Sequence, residues 1–108
     1  MNLLQLTNKL EKGKNLGAEV VYIKEDNIIS GIGSVYKDQE NKNITISKCK
    51  DETIKVDDFL KILKEIHANL GDGDVSIGSS DLTREINSEI RSLEFAQYEL
   101  VKMIFINI

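Results

Sequence analysis

The chain has 108 residues, of which 41% are hydrophobic and 30% charged, with a formal net charge of −4 and one cysteine. This composition is that of one small globular domain, and it excludes a disordered chain and a protein that grips phosphate backbones with clustered basic residues. The longest apolar run, 103–106, is far short of the roughly 20 residues of a bilayer span, and the first residues lack a secretory signal, so we expect a cytoplasmic protein.

The first fifty residues predict one helix followed by three strands. Leucines recur at helical spacing from residue 2 to 12, and Gly13 is expected to end this helix in a left-handed conformation. Glu25–Asn27 has the residues of a turn. The three strands, predicted from β-branched and alternating residues, are 18–24, 28–37 and 44–47.

The second predicted strand contains two glycines. Gly31 and Gly33 weaken a strand, so they indicate a bulge or the close approach of another backbone. Simple alternation places Ile28, Ile32 and Tyr36 on one face of this strand. Ser30 and Ser34 lie between them on that face, and the two glycines lie on the other.

The second half predicts another helix after a charged joint at 50–53. Asp57 in its first turn suits the helix dipole, and Leu70-Gly71 is expected to end it. A strand is predicted at 73–77. The apolar stripe of the helix consists of Val56, Phe59, Leu60, Leu63, Ile66 and Leu70, with Ile62 on its flank.

The segment 83–94 fits two structures. Ile86 and Ile90 alternate with polar residues as in a strand, but they also fit a helical stripe with Leu93. We predict a strand because the repeat described next favours it. The segment 98–106 predicts a last strand, and since its end is apolar on both faces, it should be central in a sheet or covered by a partner.

The two halves are similar in sequence. Asn15-Leu16-Gly17 with Val21 and Ile23 recurs as Asn69-Leu70-Gly71 with Val75 and Ile77, at an offset of 54 residues. Over the whole offset there are 12 identities in 54 pairs, where chance gives roughly four. The sequence therefore predicts a single α+β domain, 1–108, with mainly antiparallel sheet. Two αβββ repeats, 1–50 and 51–108, are expected to pack around a pseudo-two-fold axis.

No set of residues predicts catalysis or metal binding. His67 is the only histidine, and its place on the shoulder of the helical stripe is typical of a boundary residue. Cys49 is expected to be a small buried apolar group.

The loops of the second half are the candidate binding residues. Alternate oxygens from Asp72 onward resemble the start of a calcium loop, but Ile77 and Thr83 replace its required glycine and glutamate, so no metal is expected. The loop candidates for binding are Asp72, Asp74, Ser79, Ser80 and Asp81.

The order of the elements carries a resemblance. A short helix, Asn-Leu-Gly and the strand 19–23 resemble many small phage-encoded proteins, and 56–77 is similar in the second half. The resemblance implies a phage or mobile-element protein without catalytic activity that binds a host protein, host defence nucleases included.

We therefore predict a non-enzymatic binding protein, namely a phage-type inhibitor that binds a host defence protein. The alternative is a sponge for nucleotides or other small ligands, built from the loops 71–74 and 78–81. No cofactor, membrane contact or direct nucleic-acid binding is expected. A homodimer through the C-terminal strand, with Phe105 in the contact, is a further prediction.

Overall fold

The computed structural model describes residues 1–38, 43–78 and 87–108. Within these ranges the protein is an α+β fold with a mostly antiparallel sheet, as predicted. The helices are α1 (Leu3–Asn15) and α2 (Val56–Leu70). The strands are β1 (Val20–Glu25), β2 (Ile28–Asp38), β3 (Asn43–Cys49), β4 (Ile54–Lys55), β5 (Asp74–Gly78), β6 (Ser88–Glu89), β7 (Ser92–Tyr98) and β8 (Val101–Asn107). Neither helix is long and apolar enough to cross a membrane.

A capping box begins α1. The Asn2 side chain accepts a hydrogen bond of 2.8 Å from the Gln5 amide, and the Gln5 side chain accepts one of 3.0 Å from the Asn2 amide. Each bond satisfies a backbone donor that the first helical turn would leave free. The sequence carries this signal as Asn2 and Gln5 three residues apart.

The predicted end of α1 at Gly13 is wrong. The helix continues to Asn15, and the left-handed residue is Gly17, at φ 101°. Gly13 lies inside the helix against β8, where an added Cβ would stand 2.4 Å from Cδ1 of Ile104. Glycine is used here for close helix–sheet contact and not for helix termination.

The bulge predicted for β2 is confirmed. The register of β2 against β3 shifts between Ile32 and Ser34, with Gly33 as the extra residue. The second predicted alternative, the close approach of another backbone, is found at Gly31. An added Cβ there would stand 1.4 Å from the carbonyl oxygen of Glu52. Both glycines therefore have a structural cause.

The same bulge makes the prediction that Ile32 and Tyr36 share one face of β2 wrong. Ile32 is buried, but Tyr36 is 47% exposed and Ile28, beside the turn from β1, is 69% exposed. An extra residue in a strand exchanges its two faces beyond that point. Val35 consequently packs against the core in place of Tyr36.

The sheet is curled, and its two end strands are neighbours along the chain. The strand order is β6-β5-β3-β2-β1-β8-β7, and β4 pairs with β1 beside β2. The end strands β6 and β7 are joined by only Ile90 and Arg91. β1–β8 and β3–β5 are parallel pairs, and the other pairs are antiparallel.

The last strand is central in the sheet, which is one of the two alternatives predicted for it. β8 lies between β1 and β7. The bounds predicted for it are wrong, since the chain turns at Glu99–Leu100 and residues 92–98 form a separate strand. Of the ambiguous segment, residues 83–86 lie outside the described residues, and Ser88–Glu89 and Ser92–Tyr98 are strands, not helix.

The core lies between the two helices and the inner face of the curled sheet. The helices contribute Leu3, Leu6, Leu10, Val56, Phe59, Leu60 and Leu63. The two parallel pairs contribute Val21 and Ile23 opposite Ile104 and Ile106, and Val75 and Ile77 opposite Ile44 and Ile46. The predicted stripe of α2 is confirmed at its first three turns, while Leu70 is 41% exposed.

Two exposed ion pairs join the antiparallel helices. Lys14 Nζ lies 2.7 Å from a carboxylate oxygen of Asp57, and Lys64 is paired with Glu11. The hydrogen bond that Lys14 donates to Asp57 raises the pKa of Lys14, and the hydrogen bond that Lys64 donates to Glu11 lowers the pKa of Glu11.

The Glu11 pair predicts a specific acid dependence of stability. A carboxylate whose pKa is lower in the folded state stabilises the fold above its unfolded pKa, and this contribution is lost as the pH falls through the folded pKa. We expect Glu11→Gln to reduce the fall in melting temperature between pH 6 and pH 3. Thermal unfolding followed by circular dichroism measures it; parallel curves for the variant and the parent would contradict the assignment.

Candidate protein-binding surface

Of the predicted loop candidates, Asp72 binds backbone amides. Asp72 lies between α2 and β5, and its Oδ1 accepts hydrogen bonds from the amides of Leu4 (3.2 Å) and Gly73 (2.8 Å). It therefore holds the first turn of α1 against the start of β5. Asp74 begins β5 and lies opposite Asn43 of β3. Ser79, Ser80 and Asp81 lie outside the described residues.

His67 and Cys49 lie on different elements of the fold, α2 and β3. His67 is exposed in the last turn of α2, outside the edge of the core. Cys49 is half-buried at the end of β3, with its Cβ beside Gly33, and it is a free thiol. Among residues 1–38, 43–78 and 87–108, no group of three or more His, Cys, Asp or Glu side chains could hold a metal ion.

The concave surfaces are open to solvent, and charged side chains form part of their walls. One depression of about 570 Å³ lies between the end of α1 and the start of α2, with Ala18 in its wall. The ion pair of Lys14 with Asp57 lines it. Its volume is in the range of small-ligand sites, but such sites have mainly apolar walls with few polar groups.

The outer face of β1, β8 and β7 is apolar in its centre. Side chains alternate between the faces of a sheet, so Val101, Met103 and Phe105 of β8 point away from the core that holds Ile104. Tyr22 lies opposite Phe105 in β1, and the cross-strand partners Ala96 and Tyr98 extend the face into β7.

Phe105 is covered although it lies on this outer face. It is only 9% exposed, because the ring of Tyr22 lies 6.3 Å away between centroids and Lys24 Nζ lies 5.2 Å above it. Lys24 also approaches Glu94 of β7, at 3.9 Å. This end of the face is closed by a cation–π contact and an ion pair.

The other end of the face is open, at the tip of the β7–β8 hairpin. Tyr98 is 72% exposed, Leu100 94% and Val101 40%. Glu99 has φ 56°, and its carbonyl accepts a hydrogen bond of 3.1 Å from the Gln97 side chain, which fixes the turn. We call Tyr98, Leu100, Val101, Met103 and Tyr22 the hairpin surface.

No residue typical of a turn marks this position in the sequence. Two-residue hairpin turns favour Gly, Asn or Asp where φ is positive, and here Glu99 holds that position. The turn therefore fell inside the predicted strand 98–106, and the hairpin was not predicted. Its only sequence signal was the excess of apolar residues near the C-terminus.

No protein-family model, no curated protein and no solved structure matches this chain.

Proposed function

We propose that the chain is a non-enzymatic, cytoplasmic protein-binding module that contacts its partner through the hairpin surface. The observation that carries the proposal is the pair of large apolar side chains at the tip, Tyr98 and Leu100, with most of their surface in solvent. Exposed apolar side chains grouped together are typical of interaction sites, and tyrosine is enriched among residues that dominate binding energy.

The order of the hairpin supports the same proposal. The turn is held by a side-chain hydrogen bond, and β8 is fixed between two neighbours. A surface that is already ordered loses little conformational entropy on binding. Burial of Leu100 would contribute about 1.5–3 kcal/mol. The resemblance to small phage-encoded proteins makes a host defence protein the first class of partner to test.

The two-repeat architecture is part of the proposal. The first strand after each helix runs parallel to the last strand of the other half, β1 with β8 and β5 with β3. The next pairings also correspond, since Ile23 lies opposite Ser30 and Ile77 opposite Ser88. A duplicated αβββ unit with a pseudo-two-fold axis accounts for this correspondence. It would require the repeat offset to grow from 54 to 58 residues between Ile77 and Ser88.

Capture from a bacterial host lysate tests the binding proposal. We expect the parent chain to retain a stoichiometric protein that Leu100→Asp does not retain, because burial of the new carboxylate would be unfavourable. Ile28→Asp is the matched control. Ile28, at the start of β2, is 69% exposed and lies beside the end of β1 that is farther from the hairpin tip. Equal retention by both variants, or no protein partner at all, would contradict the proposal.

A thermal-shift screen with nucleotides and second messengers separates the ligand-binding alternative. A ligand present at a hundred times its dissociation constant stabilises the folded state by about 2.7 kcal/mol. A shift of that size, unaffected by Leu100→Asp, would favour a sponge over a protein-binding module.

A further inference from the structure

The strand β7 is an edge strand without the usual protection against pairing. It lies at one end of the strand order, and within the described residues no strand pairs with its outer edge. Its seven residues contain no proline and no lysine, its one charge, Glu94, is paired with Lys24, and its register against β8 is unbroken. Natural edge strands are normally blocked by such residues or by bulges. The part of β2 beyond its bulge, in contrast, carries Lys37.

The free backbone groups of β7 can be assigned by position. The two-residue turn makes Tyr98 and Val101 a hydrogen-bonded pair, and hydrogen-bonded pairs alternate along an antiparallel ladder. Residues 92, 94, 96 and 98 therefore direct their amides and carbonyls toward β8. Leu93, Phe95 and Gln97 direct theirs to the open edge.

We propose that β7 pairs antiparallel with β7 of a second copy of this chain, with Phe95 on the two-fold axis. In this register Phe95 lies opposite itself, and Leu93 lies opposite Gln97 of the second copy. All three pairs use the backbone groups that point outward, so the two sheets join into one. A two-fold contact of this kind is closed and gives a dimer, not a filament.

Charge complementarity selects this occupant and this register. When Phe95 faces itself, Arg91 falls opposite Glu99 of the second copy, and the symmetry forms this pair twice. Both residues are exposed, and they lie just beyond the two ends of β7, Arg91 before Ser92 and Glu99 after Tyr98. Glu94 falls opposite Ala96, so no like charges face each other directly.

The central residue also favours a second copy. Phe95 is 41% exposed although it lies on the same face as the buried Ile104. Pairing brings the two Phe95 rings together across the axis, and directly opposed aromatic side chains stabilise antiparallel sheets. Tyr98 falls opposite Ser92 of the second copy, whereas Leu100 lies beyond the last pair, so Leu100→Asp tests the partner site and leaves the dimer pairs in place.

A charge-swap cycle tests the dimer. We expect Arg91→Glu and Glu99→Arg each to raise the dimer dissociation constant about tenfold, since each places like charges opposite one another twice. The double variant, Arg91→Glu with Glu99→Arg, restores the parent value. Sedimentation equilibrium over a range of protein concentrations gives these constants, and circular dichroism confirms the fold. A parent chain that is monomeric throughout, or a double variant no better than the singles, would overturn the proposal.

Amide hydrogen exchange provides a second readout that folding alone does not move. The amides of Leu93, Phe95 and Gln97 should become protected as the protein concentration rises, while those of residues 94, 96 and 98 stay protected throughout. Phe95→Lys should abolish this change, and Tyr36→Lys, an exposed aromatic residue on β2, should leave it intact. Protection that does not depend on concentration would overturn the proposal, whatever the outcome for Leu100→Asp.

Discussion

Replacing Phe59 with alanine is expected to lower the free energy of unfolding by about 3–5 kcal/mol. Phe59 is fully buried, and it is among the largest of the fully buried side chains between the helices and the sheet. Its removal loses the transfer energy of the ring and leaves a cavity that rigid neighbours fill only in part. Since the free energy of unfolding of small domains is about 5–15 kcal/mol in total, this change removes a large share of the stability of the fold. Urea unfolding followed by circular dichroism measures the effect.

Ile62→Ala is the control for that experiment. Ile62 lies on the same helix but is 37% exposed, at the flank of the apolar stripe. We expect a loss of about 1 kcal/mol there, because less surface is removed from the core. Equal losses for the two variants would show that α2 does not present Phe59 to the core.

Gly31→Ala is expected to lower the free energy of unfolding by about 3 kcal/mol, the upper range for overpacking. The added Cβ would stand 1.4 Å from the carbonyl oxygen of Glu52, which is a backbone atom and not the flexible end of a side chain. Either β2 or the segment that carries Glu52 must move, and β2 pairs with both β1 and β3. The same urea titration gives the value.

Gly78→Ala is the matched control for this substitution. Gly78 is also a strand glycine, but the nearest atoms to its Cβ are side-chain atoms of Thr45 and Asn87, at 3.0 and 3.1 Å. We expect a change of less than about 1 kcal/mol, because side chains can shift and alanine restricts the unfolded chain. A Gly31→Ala variant as stable as Gly78→Ala would contradict the close approach of Glu52.

Local signals identified most helices and strands because the apolar residues of each element follow a single spacing, either that of a helix or that of a strand. The stripe of α2, the strands β1, β3 and β5 and the glycine-marked bulge of β2 were all readable from spacing. The end of α1 was not, since Gly13 serves a contact with Ile104, 91 positions later in the chain. A sequence pattern cannot distinguish a glycine that ends a helix from one that admits a neighbour.

The candidate site was the least predictable part. The hairpin turn uses Glu99 at positive φ, a position where the usual turn residues are absent. The predicted loop residue Asp72 accepts hydrogen bonds from two backbone amides, a role that the local sequence does not indicate. The exposure of Tyr98 and Leu100 depends on which strands flank the hairpin, and this is a property of the sheet order and not of the local sequence.

The most direct test of the proposed function is amide hydrogen exchange of the chain with and without the protein that it captures. We expect slower exchange in the complex at residues 98–103 and no change at the β1–β2 turn beside Ile28. Protection confined to other parts of the chain, with the hairpin tip exchanging as in the free protein, would contradict the hairpin surface as the binding site.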